Sequence, residues 1–384
     1  MANQPATIAL DFRGLDQLNF GNGQYRYCVD LIRGLARLES GCRFIVTGSR
    51  PAPVEPLRHV FSDPRWRYLY LPTWDFRGGD YLDYPRYAWF LRRHAVDLLH
   101  SLHTFVPLLC RTRGVITIYD MMSELFPEYR ASVLSRPYRL FKYAVRRQSP
   151  LVIAISQTTA DDINRLWGVP RSNIAVVYLG TDSAASSSRP ATETAAEFAA
   201  RSFVLSPFNL EPRKNLISLL RAMVDVRRSH PDVRLVLYGR AAVTPDRERQ
   251  FHADVRELGL QDAVVPTGFV PDEELAFLYR QAALFVFPSL YEGFGMPVLE
   301  AMRAGACVVA RNQSAMAEVL GDAGVQTETK DPAGLAAIIR SLLDDPARRA
   351  ELGRAGQRRS AGFTSEAMAR NTLAVYMRAL DRAV

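Results

Sequence analysis

Apolar positions along this chain fall into two alternating patterns. Short runs are apolar at nearly every position: "TIALDF", "RFIVTG", "RYLYLP", "VDLLHSL", "VITIYD", "LVIAIS" and "IAVVYLG" in the first half, then "FVLSPF", "VRLVLYG", "AVVPTGF", "ALFVFPS" and "ACVVAR" in the second. Between them lie longer amphipathic segments, such as the one carrying Cys28, Leu31, Ile32, Leu35 and Leu38. Runs of strand length that are apolar on both faces belong to parallel strands covered on both sides, and strand–helix alternation makes the fold class α/β.

The alternation pauses once. "GTDSAASSSRPATETAAEFAARSF", Gly180 to Phe203, is rich in Ser, Ala and Thr and lacks a core face. Residues 1–182 are therefore predicted as one Rossmann-like domain, 183–202 as a linker, and 203–363 as a second Rossmann-like domain. Residues 364–384 read as a helix that either packs on the second domain or crosses back to the first. Ligands of doubly wound sheets bind beyond the carboxyl ends of the strands, so two such domains facing each other predict one interdomain cleft.

Composition adds limits. The 384 residues, 48% of them hydrophobic, suit two cores. No apolar run approaches the roughly 18 residues of a membrane span, and the N-terminus lacks a basic segment followed by an apolar one, so a cytoplasmic protein is expected. Cys28, Cys42, Cys110 and Cys307 are scattered, without metal-ligand spacing, and read as buried thiols. A net charge of +8, mostly from arginine, points to an anionic partner: a phosphate substrate, a lipid surface or nucleic acid.

Five sets of residues carry candidate chemistry. In "PSLYEGFGMPVLEAMRAG", Gly293 and Gly295 make a turn at a strand end that feeds a helix, with Pro297 in its first turn and Gly305 past its end. Free N–H groups and the helix dipole there favour an anion. Glu292 and Glu300 flank that turn and suit the hydroxyls of a polyol or sugar-nucleotide; ordinary helix acids are the plain alternative. In "FNLEPRKN", Arg213 and Lys214 stand at a strand-to-helix junction, where a fork and a point charge can clamp a diphosphate, with Asn215 as a helix cap. "GNGQYRYC" places Gly21 and Gly23 before a helix, without the remaining features of a dinucleotide fingerprint. Strand ends in the first half carry His100, His103, Tyr119, Asp120 and Glu124, polar groups aimed toward the predicted cleft. The segment from Arg130 to Arg147 interleaves basic and apolar residues, as a surface for anionic headgroups does and as an ordinary packed helix also does. No nucleic-acid signature accompanies it, so no nucleic-acid partner is expected.

Together these motifs resemble the retaining glycosyltransferases of family GT4, with the GT-B fold, and among them the mannosyl- and related transferases of bacterial surface-polysaccharide synthesis. "LEPRKNL" is similar to the family's phosphate-binding segment, and "GFVPDEELAFLYRQAALFVFPSLYEGFGMPVLEAMRAG" to its donor-site signature. The resemblance implies a catalytic set of Arg213, Lys214 and Glu292, with the cations on the donor diphosphate and Glu292 on the donor sugar. It implies donor contacts at Gly21, Gly23, Phe294, Gly295, Met296 and Pro297, ribose binding by Glu300, and strand-end glycines Gly239 and Gly268 on the donor side. His103, Tyr119, Asp120 and Glu124 become acceptor-side candidates. Two departures stand out: Tyr119 replaces a common histidine, and Pro207 sits near a common glycine.

The implied reaction transfers a hexose, mannose from GDP-mannose, to a hydroxyl of a lipid-linked or surface-polysaccharide glycan. It needs no cofactor beyond the nucleotide-sugar substrate, and no metal. A peripheral position on the inner face of the cytoplasmic membrane extends that expectation. The alternatives are a UDP- or dTDP-sugar-dependent transferase, a sugar-nucleotide epimerase or hydrolase, and a catalytically degenerate binding subunit.

Overall fold

A computed structural model of the protein describes residues 5–18, 23–72, 84–102, 112–129, 136–148, 150–182, 202–239, 244–328 and 331–381. The chain divides into two compact units, residues 1–182 with 363–384, and residues 183–362. Residues 183–201 of the predicted linker lie outside the described residues.

The first unit is built on a seven-stranded parallel sheet in the order β3-β2-β1-β4-β5-β6-β7. Its strands are β1 (Thr7–Asp11), β2 (Arg43–Gly48), β3 (Trp66–Tyr70), β4 (Leu98–Ser101), β5 (Arg113–Ile118), β6 (Leu151–Ala154) and β7 (Ile174–Val176). The second unit has six parallel strands in the order β10-β9-β8-β11-β12-β13. They are β8 (Phe203–Pro207), β9 (Arg234–Tyr238), β10 (Val264–Gly268), β11 (Leu284–Phe287), β12 (Val308–Arg311) and β13 (Val325–Thr327). Both orders reverse direction once, as in doubly wound folds. The strands form where the apolar runs predict them. Only β13, a three-residue "VQT", has no apolar run to announce it.

Register fixes which helices share a face. In the first unit, Ala9 pairs with Ile45 and Leu99, and Leu99 with Gly114. Two residues along β5, Ile116 pairs with Val152. These positions point to one face, where the helix Tyr84–Arg93 contributes Tyr87, Phe90 and Leu91 to the core, and the helix Arg136–Gln148 contributes Phe141 and Val145. The other face carries His100 and Thr117. There the helix Gly23–Ala36 packs beside the C-terminal helix Ser365–Asp381. The predicted tail helix thus exists, and it belongs to the first unit.

The return of the tail is tightly fixed. Tyr376 Oη lies 2.6 Å from His100 Nδ1, whose Nε2 lies 2.8 Å from Thr117 Oγ1; Tyr27 Oη is a further 2.9 Å from that hydroxyl. Burial pushes the His100 imidazole down to about 3, so it is neutral and works as a structural joint. Phe363 O accepts from Thr181 N at 3.2 Å, and Asp182 binds Ser365 N at 3.1 Å, the Ser365 hydroxyl and the Arg37 guanidinium.

Candidate active site

The reversal in the second sheet falls between β8 and β11, and the loops leaving those two strands meet there. After β8, Pro212–Lys214 form one 3-10 turn, and Asn215 adopts φ 54° before the helix Leu216–Ser229. Asn215 is the N-cap of that helix, as expected, and its carbonyl accepts from Ser218 N at 3.1 Å. Its side chain caps no backbone N–H: its amide donates to Pro288 O at 3.3 Å, and its Oδ1 accepts from the Ser218 hydroxyl at 2.7 Å. Leu290 N donates to Arg213 O at 2.6 Å, completing a seam between the loops.

Charge concentrates on that seam. Glu292 Oε1 accepts from Lys214 Nζ at 2.6 Å, from Ser289 Oγ at 2.7 Å and from Arg213 Nη1 at 3.3 Å. Arg213 is oriented further by Glu211, 2.8 Å from its Nε, and by Tyr291 O at 3.3 Å. The Arg213, Lys214 and Glu292 side chains retain only 12%, 17% and 14% of their exposure. Such a cluster, shielded from water on most sides, holds its geometry better than a surface ion pair.

Beside it, Gly295 takes φ 94° at the start of the helix Met296–Ala304, with Pro297 in the first turn. A side chain at Gly295 is disfavoured by that backbone angle, and its Cβ would come within 3.3 Å of Met316 Cγ. The turn leads Phe294, Gly295 and Met296 into the amides of a helix start, which suit an oxyanion. Glu300, one turn in, accepts from Tyr279 Oη at 3.3 Å, and Tyr279 lies 2.7 Å from Tyr238 Oη at the end of β9. Gly239 and Gly268 follow at the ends of β9 and β10, both at positive φ, joined by Gly239 N to Gly268 O at 2.8 Å. The structure therefore gathers Arg213, Lys214, Glu292, Gly295 and Glu300 at the carboxyl end of the second sheet.

The first-unit candidates fare differently. Gly21 and His103 lie outside the described residues, and Gly23 begins the helix Gly23–Ala36. Tyr119, an acceptor-side candidate, turns inward. Its ring is buried edge-on against Tyr27, and its hydroxyl donates to Leu102 O. Burial and the neighbouring Cys28 and Tyr27 raise its pKa well above that of a free phenol. Glu124, another acceptor-side candidate, is engaged within the first unit. Its Oε1 accepts from Lys142 Nζ at 2.7 Å, Trp167 Nε1 at 2.8 Å and Tyr138 Oη at 3.2 Å. Burial pushes this carboxyl up, and the hydrogen bonds outweigh it and hold the group below its ordinary value. These contacts tie Glu124 to the helix Arg136–Gln148 and to Trp167. Asp120 is half-buried and accepts from Met122 N at 2.9 Å.

Sequence reasoning missed Ser289, Ser314, Tyr238 and Tyr279. Ser289 was legible as a polar residue just past a buried strand. Ser314, which accepts the Glu292 amide at 3.1 Å, gave no signal. Among the described residues no group of His, Cys, Asp and Glu could hold a metal ion.

Two doubly wound units with a charged, glycine-turned site at the switch point define a GT-B protein. Residues 21–185 match the model for Glycosyltransferase Family 4, and residues 193–359 the model for Glycosyl transferases group 1. The O-antigen chain mannosyltransferase B of Escherichia coli is 32% identical over 270 residues, covering 68% of this chain and 69% of that one. Sucrose-phosphate synthase from Thermosynechococcus elongatus superposes with a TM-score of 0.76 at 22% identity, covering 97% and 98% of the two chains. HepE from Anabaena in complex with UDP-glucose gives a TM-score of 0.72 at 20% identity, covering 97% and 99%. The chain belongs to the family 4 glycosyltransferases.

Proposed function

We propose that the protein is a retaining hexosyltransferase that moves mannose from GDP-mannose to a hydroxyl of a lipid-linked or surface-polysaccharide glycan. The observation that carries the reading is the Arg213–Lys214–Glu292 cluster beside the Gly295 turn. One side of it offers positive charge for a diphosphate, and the other offers helix-start amides and carboxylates for phosphate and hydroxyls. The likeness to a mannosyltransferase supports mannose as the sugar.

In this mechanism the acceptor oxygen attacks the donor's anomeric carbon on the face the diphosphate leaves. The bond from that carbon to the phosphate oxygen breaks, the glycosidic bond forms, and the acceptor proton passes to the departing diphosphate. Arg213 and Lys214 stabilise the charge on the leaving group, so no protein nucleophile is needed. Glu300, oriented by Tyr279, binds the ribose hydroxyls.

A melting panel with GDP, UDP, dTDP, ADP and their hexose conjugates tests the donor. GDP and GDP-mannose are expected to raise the melting temperature, because a ligand of the native state stabilises by mass action. A shift with UDP-glucose alone would move the donor to UDP-hexose.

The acceptor's lipid brings the enzyme to a membrane. No helix among the described residues is long and apolar enough to cross one. The first unit instead presents two helices from one sheet face. The helix Arg136–Gln148 exposes Arg139, Tyr143 and Arg146, and the helix Tyr84–Arg93 exposes Trp89, Arg92 and Arg93. Trp89 and Tyr143 keep 60% and 58% of their exposure, as interfacial aromatics do, and Arg93 stacks over the Trp89 ring. Vesicles of phosphatidylglycerol and phosphatidylcholine are expected to sediment the protein at low salt, less at high salt, and weakly with the double variant Trp89→Ala/Tyr143→Ala. No sedimentation at low salt would remove the membrane from the proposal.

A further inference from the structure

Among the described residues three non-glycine residues have positive φ: Ala95, Asn215 and Ser314. Ser314 is the most strained. At φ 61° and ψ −165° it occupies a region used almost only by glycine. It starts the short helix Ala315–Leu320, whose first turn needs only its carbonyl, accepting from Ala317 N at 3.2 Å. Glycine would supply that carbonyl without strain. What serine adds is one hydroxyl, and that hydroxyl accepts the Glu292 amide at 3.1 Å.

A second contact joins the same segments. Met316 lies against the Gly295 turn, as the 3.3 Å approach of a Gly295 Cβ to its Cγ shows. The strands that launch the two segments, β11 and β12, are neighbours in the sheet. Residues 314–316 therefore form a brace behind the loop that carries Glu292 and Gly295. Lys214, Ser289 and Arg213 hold the Glu292 carboxylate, while Ser314 holds its backbone.

The geometry assigns Ser314 as a positioning residue of the donor site: its hydroxyl fixes the Glu292 amide, and so aims the carboxylate and the amides that follow it. This rests on the donor-site reading above. Strain kept where an unstrained residue is available implies a use for the side chain, and here the side chain makes one contact that reaches the site.

Two variants separate positioning from stability. Ser314→Ala and Ser314→Gly both delete the hydroxyl, and both are expected to lower kcat/KM for the donor by about two- to tenfold, the range of one lost hydrogen bond. KM for the acceptor should not move. Their stabilities should run opposite to habit. Alanine normally outranks glycine, but at this φ glycine is relieved of strain, so Ser314→Gly should melt above Ser314→Ala. A merely structural serine would let turnover recover with stability in the glycine variant; equal losses in both mark positioning. Amide exchange at Glu292 in the ligand-free protein supplies a readout independent of activity: both variants should exchange faster there than wild type. Unchanged Glu292 exchange, or wild-type donor kcat/KM in Ser314→Gly, overturns the assignment. A wild-type protein that binds no nucleotide-sugar, yet shows the faster exchange in both variants, would overturn the donor reading and leave the brace standing.

Discussion

Lys214→Ala is expected to lower turnover by about 10- to 150-fold while leaving the protein folded. The figure follows from losing one charge-assisted hydrogen bond to the departing diphosphate, worth about 1.5–3 kcal/mol in the transition state. The fold should tolerate the change because Glu292 keeps Arg213 at 3.3 Å and Ser289 at 2.7 Å. Arg213→Ala should cost turnover at least as much, and more stability, since its guanidinium also ties Glu211 and Tyr291 O to the seam. Steady-state kinetics with matched melting curves check both. Unchanged turnover in both folded variants would sink the site as drawn.

The same cluster bears on Glu292. The family resemblance gives it the donor sugar, whereas in the structure its Oε1 faces both cations. The two roles give different double-variant results. If Glu292 acts on the sugar alone, Glu292→Gln should cost the same factor in wild type and in Lys214→Ala. If it acts by orienting the cations, its effect should shrink once Lys214 is gone, because groups acting as a unit are not additive.

The fold was legible because buried parallel strands write themselves as apolar runs, and this chain repeats them with helical segments between. β13 escaped because "VQT", a sheet-edge strand, has no such run. At the site, residue type plus position at a strand end located Arg213, Lys214, Glu292 and Glu300. The same logic left the surroundings of Tyr119 and Glu124 unread, since strand-end position does not say whether a side chain turns outward or back into the core. Tyr119 turns back onto Tyr27 and Leu102 O, and Glu124 is claimed by Lys142 and Trp167, residues distant in sequence. Ser314 was illegible for a related reason: its importance lies in a backbone angle and one long-range contact, and neither leaves a local pattern.

Gly180→Ala carries the largest expected effect on stability. A Cβ at Gly180 would lie 2.0 Å from the Thr364 carbonyl oxygen and 2.3 Å from its carbon, and backbone cannot swing aside as a side-chain tip can. Relief requires moving the segment that leads into the helix Ser365–Asp381. That segment is held by Thr181 N on Phe363 O, by Asp182 on Ser365, and farther along by Tyr376 on His100. Overpacking of this kind costs about 1–3 kcal/mol, often more against backbone, so the first unit should melt on the order of 5–10 °C lower. Gly114→Ala serves as the contrast, because its Cβ would meet only Pro150 Cβ at 3.4 Å, an ordinary contact. Two further readouts locate the damage. Protease cleavage near residue 363 should appear in Gly180→Ala and not in Gly114→Ala. The His100 imidazole, held at about 3 by burial, should titrate nearer its ordinary value once Tyr376 withdraws and water enters. The sign for wild type follows from the same shift. Between the unfolded value near 6.5 and about 3, the unfolded chain takes up a proton that folded His100 refuses, so His100 weakens the fold as pH falls through that window. In Gly180→Ala that pH dependence should flatten, because the folded and unfolded imidazoles become alike. A Gly180→Ala protein that melts with wild type and keeps His100 untitrated would mean that the tail returns to the first unit without the close contact at Thr364.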